Sequence, residues 1–211
     1  MKPLQKPGAE PPRRLYWLLH AVITVLFWPA FRLLYGFRVT GREHLEGLSA
    51  GITVCNHVHT LDCVMTALAL GRRRVWFLSL PSNLALPVAG PIVRVMGGVA
   101  VPQSAAGYKA LYRRMQGIFA RGEWFHVYPE GALLPRCRTL RPFYPGAFQM
   151  AVRCGVPVVP CVLRRYPRRF GPAGLELAIL PPARPCGGTA ARTAARQLQD
   201  DVFRRMESAL L

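Results

Sequence analysis

Acid is scarce in this chain. Ten Asp and Glu stand against 28 Lys and Arg in 211 residues, a formal net charge of +18. Lysine is nearly absent as well: only Lys2, Lys6 and Lys109 occur, and arginine supplies the other 25 of the 28. Arginine bias alone says little about function, because it can be genomic. The sign of the field says more, since a positive surface attracts anionic lipid headgroups, phosphorylated substrates or nucleic acid. Charged residues are only 18% of the chain and hydrophobic ones 51%, which excludes a disordered polymer. Cys55, Cys63, Cys137, Cys154, Cys161 and Cys186 contain no C-x-x-C pair. That argues against zinc and describes reduced, mostly buried thiols facing the cytosol. No RNA or DNA module signature is present, and RRRVWF (72–77), the nearest approach to a basic–aromatic element, reads as a helix end entering a buried strand. Internal repeats and interdomain linkers are lacking too. The length suits one domain with a core that folds without staples.

What is there begins with an apolar run. Residues 15–31, LYWLLHAVITVLFWPAF, are interrupted only by His20 and Thr24, and follow Arg13 and Arg14. The run is about one membrane span long. Pro29 and Arg32 close it, and Tyr16, Trp17, Trp28 and Tyr35 place amphipathic rings near both ends, as interfacial anchors do. WPAFRLLYG offers no small-residue cleavage site, which disfavours a cleaved signal peptide. A buried core helix is the alternative to a membrane-associated one, and a membrane helix either spans or lies in the interface. The expected organisation is a flexible Pro-rich tail at 1–12, a membrane-associated helix at 13–35 and one catalytic domain at 36–211.

Beyond the helix, strand and helix signals alternate. GFRVTGREHLEG (36–47), ITVCN (52–56), RVWFLSL (74–80), VAV (99–101), EWFHVYP (123–129), VPVVPCVLR (156–164) and LELAIL (175–180) carry strands. Helical spacing marks 61–71, a Pro-broken 84–98, 108–122, 146–155 and an amphipathic 191–211. Such alternation implies an α/β fold, a largely parallel central sheet flanked by helices. Sites in such sheets lie beyond the carboxyl ends of the strands. Both NHVHTLD (56–62) and YPEG (128–131) fall there.

The chain has only three Asp and five His, yet His57, His59 and Asp62 crowd six positions. Three chemistries compete. A metal site would use both imidazoles and the carboxylate, but two His at i, i+2 need not converge and no further His or Cys cluster completes the set. A nucleophilic Cys55 or Cys63 lies in an apolar run, where a thiol packs as a small hydrophobe. In the third, Asp62 on the first turn of a helix fixes the tautomer of His57 at the strand end, and His57 takes a proton from a substrate hydroxyl. No serine or cysteine nucleophile stands beside the pair, which favours direct transfer.

Three further segments follow in order: GGVAVPQS (97–104), YPEGALL (128–134) and GVPVVPCVL (155–163). With NHVHTLD they resemble the lysophospholipid and 1-acylglycerol-3-phosphate acyltransferase family, whose blocks read N-H-x-x-x-x-D, G-x-(apolar)-x-(apolar)-x-R, F-P-E-G-T-R and V-P-(apolar)-x-P. The first block is intact from Asn56 and His57 to Asp62. The third keeps Pro129, Glu130 and Gly131 with Tyr128 as the aromatic, and the fourth keeps Val156, Pro157 and Pro160. The likeness runs from about residue 37 to 165. It implies acyl transfer from acyl-CoA or acyl-carrier protein to a hydroxyl of a lysophospholipid such as 1-acylglycerol-3-phosphate, in phospholipid biosynthesis, with no metal or redox cofactor. His57 would be the base and Asp62 its orienter. Asn56 and amides near Gly131 would position acceptor or thioester, and Glu130 would bind the acceptor's polar part. The implied partners are membrane lipids and the acyl donor, not nucleic acid, with the catalytic domain on the cytoplasmic side of a membrane.

Two positions depart from the blocks. Gln103 stands where the second block ends in a basic residue, and Gly131, Ala132 and Leu133 replace G-T-R. The resemblance assigns those missing arginines to the acceptor's phosphate, a bidentate contact that Gln cannot make. Arg94, Arg136, Arg138 and Arg141 are candidate substitutes, Arg138 and Arg141 foremost. Otherwise the acceptor is neutral or zwitterionic. The rival from another class is a non-catalytic basic membrane-binding protein.

Overall fold

The computed structural model describes residues 10–169 and 171–211. Most of the expected tail at 1–12 therefore lies outside the described residues. Seven strands form one sheet in the order β1-β7-β6-β2-β5-β3-β4. They are β1 (Arg38–Thr40), β2 (Gly51–Cys55), β3 (Val75–Ser79), β4 (Gly98–Ala100), β5 (Trp124–Val127), β6 (Val158–Tyr166) and β7 (Gly174–Ile179). Neighbours run parallel except β6 and β7, which form an antiparallel pair. The α/β expectation of a largely parallel sheet flanked by helices holds. β2 is central and buried along its whole length, so it is apolar on both faces except Thr53.

Helices cover both faces. On one, α5 (Ala105–Ala120), α6 (Gly146–Cys154) and α7 (Ala191–Leu210) bury Leu111, Met115, Phe148, Leu198, Val202 and Met206 against Ile52, Val54, Phe125 and Val127. On the other, α1 (Arg13–Tyr35) and α2 (Asp62–Leu70) pack Phe31, Met65 and Leu68 against Trp124, Val159, Cys161 and Leu177. The Pro-broken segment becomes two short helices, α3 (Pro81–Leu84) and α4 (Ala89–Val95). Helix α5 starts three residues before the expected Tyr108, because the Ser104 hydroxyl accepts from the amide of Gly107 at 3.2 Å and caps it.

Helix α1 is two-sided. One stripe buries Tyr16, His20 and Phe31, and the Tyr16 hydroxyl accepts from the amide of Val75 at 3.2 Å. The opposite stripe leaves Leu15, Leu18, Val22, Val25, Leu26, Leu33 and Leu34 exposed. The inner stripe of α1 therefore packs on the core of the part at 36–211. Glu176 ties the sheet edge together. Its carboxylate accepts from Arg38, Thr40 and Arg164, joining β1, β6 and β7.

Candidate active site

The all-apolar strand β2 delivers Asn56 and His57 to its carboxyl end. Asn56 is buried and spends both ends of its amide on one residue: Nδ2 donates to the Leu163 carbonyl at 2.9 Å, and Oδ1 accepts from the Leu163 amide at 2.8 Å. It imitates one more rung of the β2–β6 ladder. Asn56 thereby holds the strand end in place.

The chain then turns through Val58 and His59 into α2, whose first residue is Asp62. Asp62 Oδ2 lies 2.7 Å from His57 Nδ1 and accepts from the His59 amide at 3.3 Å. The carboxylate thus ties the turn as well as the imidazole. With Nδ1 donating, Nε2 is left bare to accept a proton. The Asp62 side chain is 1% exposed and that of His57 23%, so substrate reaches the base but not its orienter. His59 faces elsewhere. Its Nδ1 accepts from the Leu61 amide at 3.1 Å, and its ring meets the Tyr35 ring edge-on at 5.2 Å. Burial pulls its pKa down against the Asp62 charge, and Arg165 pulls it further. The thiols stay protonated: burial pushes Cys55 well up and Cys63 to about 11. Nucleophilic cysteine chemistry has no thiolate here.

Strand β5 brings the second half of the site. Glu130 Oε1 accepts from the His57 amide at 3.2 Å, while Oε2 accepts from Arg141 Nε at 2.8 Å and from the Arg141 amide at 3.4 Å. Its side chain is 1% exposed. Its carboxylate carries Arg141 and pins the His57 backbone. Arg141 is half-buried, and its Nη2 also donates to the Ala132 carbonyl, which leaves Nη1 for a ligand. Gly131 adopts φ +74, and a Cβ there would stand 2.7 Å from the Tyr144 ring. Its amide donates to the Tyr128 carbonyl at 3.1 Å.

The loop after Gly131 crosses the His57 turn like a strap. The Leu134 amide donates to the His57 carbonyl at 2.9 Å, and the Arg136 amide to the Val58 carbonyl at 3.0 Å. Arg138 is exposed on this loop, and Gln103 is exposed just ahead of α5. The structure thus brings His57, Asp62, Glu130, Gly131 and Arg141 together, and leaves Arg138 exposed on the loop that follows.

Sequence reasoning missed His126 and the contact that Tyr128 makes with the base. The Tyr128 ring stacks on the His57 imidazole with centroids 4.0 Å apart and planes at 15°. Behind it His126 is buried beside Thr53, with Oγ1 and Nδ1 2.8 Å apart, and burial pushes the imidazole down to about 3. The signal was strand alternation: in WFHVY, residues 126 and 128 share the face toward α2.

Comparison with known proteins agrees with this geometry. A family model described as Acyltransferase matches residues 36–164, well over half of the chain. The chain is 33% identical over 138 residues to a 1-acyl-sn-glycerol-3-phosphate acyltransferase, BAT2, chloroplastic, of Brassica napus, covering 62% of this chain and 38% of that protein. It is 29% identical over 170 residues to the human 1-acyl-sn-glycerol-3-phosphate acyltransferase alpha, covering 72% and 56%. The chain thus spans about half or less of the length of these curated relatives. In fold it is similar to the crystal structure of the 1-acyl-sn-glycerophosphate (LPA) acyltransferase PlsC from Thermotoga maritima, with TM-score 0.62 and 20% identity over 92% of this chain and 93% of that one. The intact NHVHTLD block, its His–Asp contact and the match over 36–164 lead to one conclusion: this chain belongs to the acyltransferase family.

Proposed function

We propose that this chain moves a fatty acyl group from an acyl thioester, acyl-CoA or acyl-carrier protein, to the free hydroxyl of 1-acylglycerol-3-phosphate. The observation that carries this is the His57–Asp62 contact at 2.7 Å, with a bare Nε2 on the accessible side. Both curated relatives bear the name of that reaction. His57 Nε2 takes the acceptor's hydroxyl proton as the oxygen attacks the thioester carbonyl. The tetrahedral intermediate then collapses, the carbon–sulfur bond breaks, and the imidazolium returns its proton to the departing thiolate. Buried Asp62 holds the Nδ1 proton and balances the charge while it exists. The chemistry needs no metal or redox cofactor.

The enzyme would work as a membrane-surface protein. The inner stripe of α1 is fixed to the domain, so the helix lies along the domain and cannot cross a bilayer alone. Its exposed leucines and valines then enter one leaflet, with exposed Leu86, Val88 and Ile92 around α4 nearby. The catalytic domain would sit on the cytoplasmic side, where acyl thioesters are made. For the acceptor's phosphate we assign Arg141 Nη1 and Arg138 in place of the basic residues missing at Gln103 and Leu133. Those two neutral positions favour a neutral or zwitterionic acceptor as the second reading.

The test is to supply the lipid-reconstituted protein with radiolabelled acyl-CoA or acyl-carrier protein and a panel of lysolipids, identifying products by mass. Phosphatidate from lysophosphatidate, abolished in His57→Ala, is the expected result. Acylation of a neutral monoacylglycerol in preference would overturn the anionic acceptor, and lipid binding without turnover would overturn the enzyme.

A further inference from the structure

One oxygen of the dyad is unaccounted for. Asp62 Oδ2 serves His57 and His59, but Oδ1 is buried and lacks a well-formed hydrogen bond. Tyr128 shows the complementary deficit: its hydroxyl is buried and equally short of a partner. A buried polar group without a partner is rare in native structures. The two belong to one cluster, because the Tyr128 ring lies flat on the imidazole that Asp62 holds. Burial first, and then the charge of Asp62, push the Tyr128 phenol well above its ordinary value. The phenol therefore keeps its proton and remains a donor, in the same buried cluster as an acceptor that lacks one. His126, whose ring stands edge-on to Tyr128 at 4.6 Å, is kept neutral by its burial and has Nδ1 engaged with Thr53.

We propose that Tyr128 is a positioning residue of the dyad: its hydroxyl donates to Asp62 Oδ1, while its ring fixes the plane of His57. The proposal rests on the reading of His57 and Asp62 as base and orienter. A carboxylate bonded through one oxygen can swing about its Cβ–Cγ bond. With both oxygens engaged it cannot, and Oδ2 stays on Nδ1 through proton transfer. Phenylalanine would supply the stacking but not the lock.

Tyr128→Phe deletes only the hydroxyl and is tested in the full chain with lipid. The first readout is the far-downfield proton resonance of His57 Nδ1–H, identified by its loss in His57→Ala; it is expected to move. The second is kinetic: kcat falls about tenfold, the rate equivalent of one hydrogen bond, while KM for acceptor and donor stays unchanged. An unmoved resonance overturns the proposal, and so does a moved resonance with wild-type kcat, because the bond would then position nothing that turnover needs. If Tyr128→Phe fails to fold, 3-fluorotyrosine at 128, with a more acidic phenol of the same shape, must move the same resonance or the proposal fails. The resonance is read without turnover. A wild-type protein with no acyl transfer would sink the proposed function, while the resonance would still decide the Tyr128–Asp62 bond.

Discussion

An imidazole that accepts a proton at Nε2 needs its Nδ1 proton held, and Asp62 holds it from a site that water does not reach. His57→Ala and Asp62→Ala are each expected to lose at least ~10²-fold in kcat, the range for a positioned acid–base group. His59→Ala should keep most of the activity, since its ring packs on Tyr35; steady-state kinetics of the three variants checks both statements. His126 makes a separate prediction about acid. Its folded pKa is lowered to about 3, whereas the unfolded imidazole titrates near 6.5. Below pH 6.5 the unfolded chain binds a proton that the folded one refuses, so stability falls as pH falls toward 3. The slope from this group is about 1 kcal/mol per pH unit between pH 6 and 5. Urea midpoints of wild type and His126→Gln across that range should diverge by this slope, and parallel curves would show His126 to be solvated. Residue chemistry was legible where it was local: the five-residue spacing of His57 and Asp62 survives into the structure. The Glu130 contacts to His57 and Arg141 were not, because a residue 73 positions away has no partner written into its neighbourhood.

At the scale of elements, α1 carries two instructions in one sequence. Its periodic apolar residues fill both stripes, so neither a core nor a membrane reading of the run 15–31 could exclude the other. Only Tyr16 and His20, polar tips on buried rings, hinted at which side faces the domain. Replacing Leu18, Val22 and Val25 with serine should release the protein from vesicles at an unchanged melting temperature. Phe31→Ala should do the reverse, costing about 3–5 kcal/mol of stability for a fully buried ring; co-sedimentation and thermal melts separate the two. Deleting residues 1–35 should expose the Trp124 and Leu177 face and lower the melting temperature, where the sequence alone suggested an undisturbed core. Strand positions followed from short apolar runs bounded by turns, and the parallel centre from their alternation with helices. The reversed direction of β7 against β6 was not written in either strand, because the seven residues between them permit a hairpin without demanding one.

Across the whole molecule, a net charge of +18 on a domain with an apolar flank gives membrane binding two separable parts. Anionic lipid contributes about 1 kcal/mol per well-placed arginine, and this part is screened when salt shortens the Debye length from ~10 Å at 0.1 M to ~3 Å at 1 M. The part from α1 is not. Binding to vesicles containing anionic lipid should therefore weaken with salt to a plateau, equal to the salt-independent binding on neutral vesicles, and the plateau should vanish in the α1 serine variant. The edge of the sheet adds a consequence in time. Arg38 meets Glu176 across 138 positions, so β1 has no partner until most of the chain has left the ribosome. Meanwhile α1, already synthesised, keeps its outer apolar stripe bare, since α2 and β3 meet only the inner one. The outer stripe is thus open to an apolar surface for as long as the sheet waits for its last edge to close.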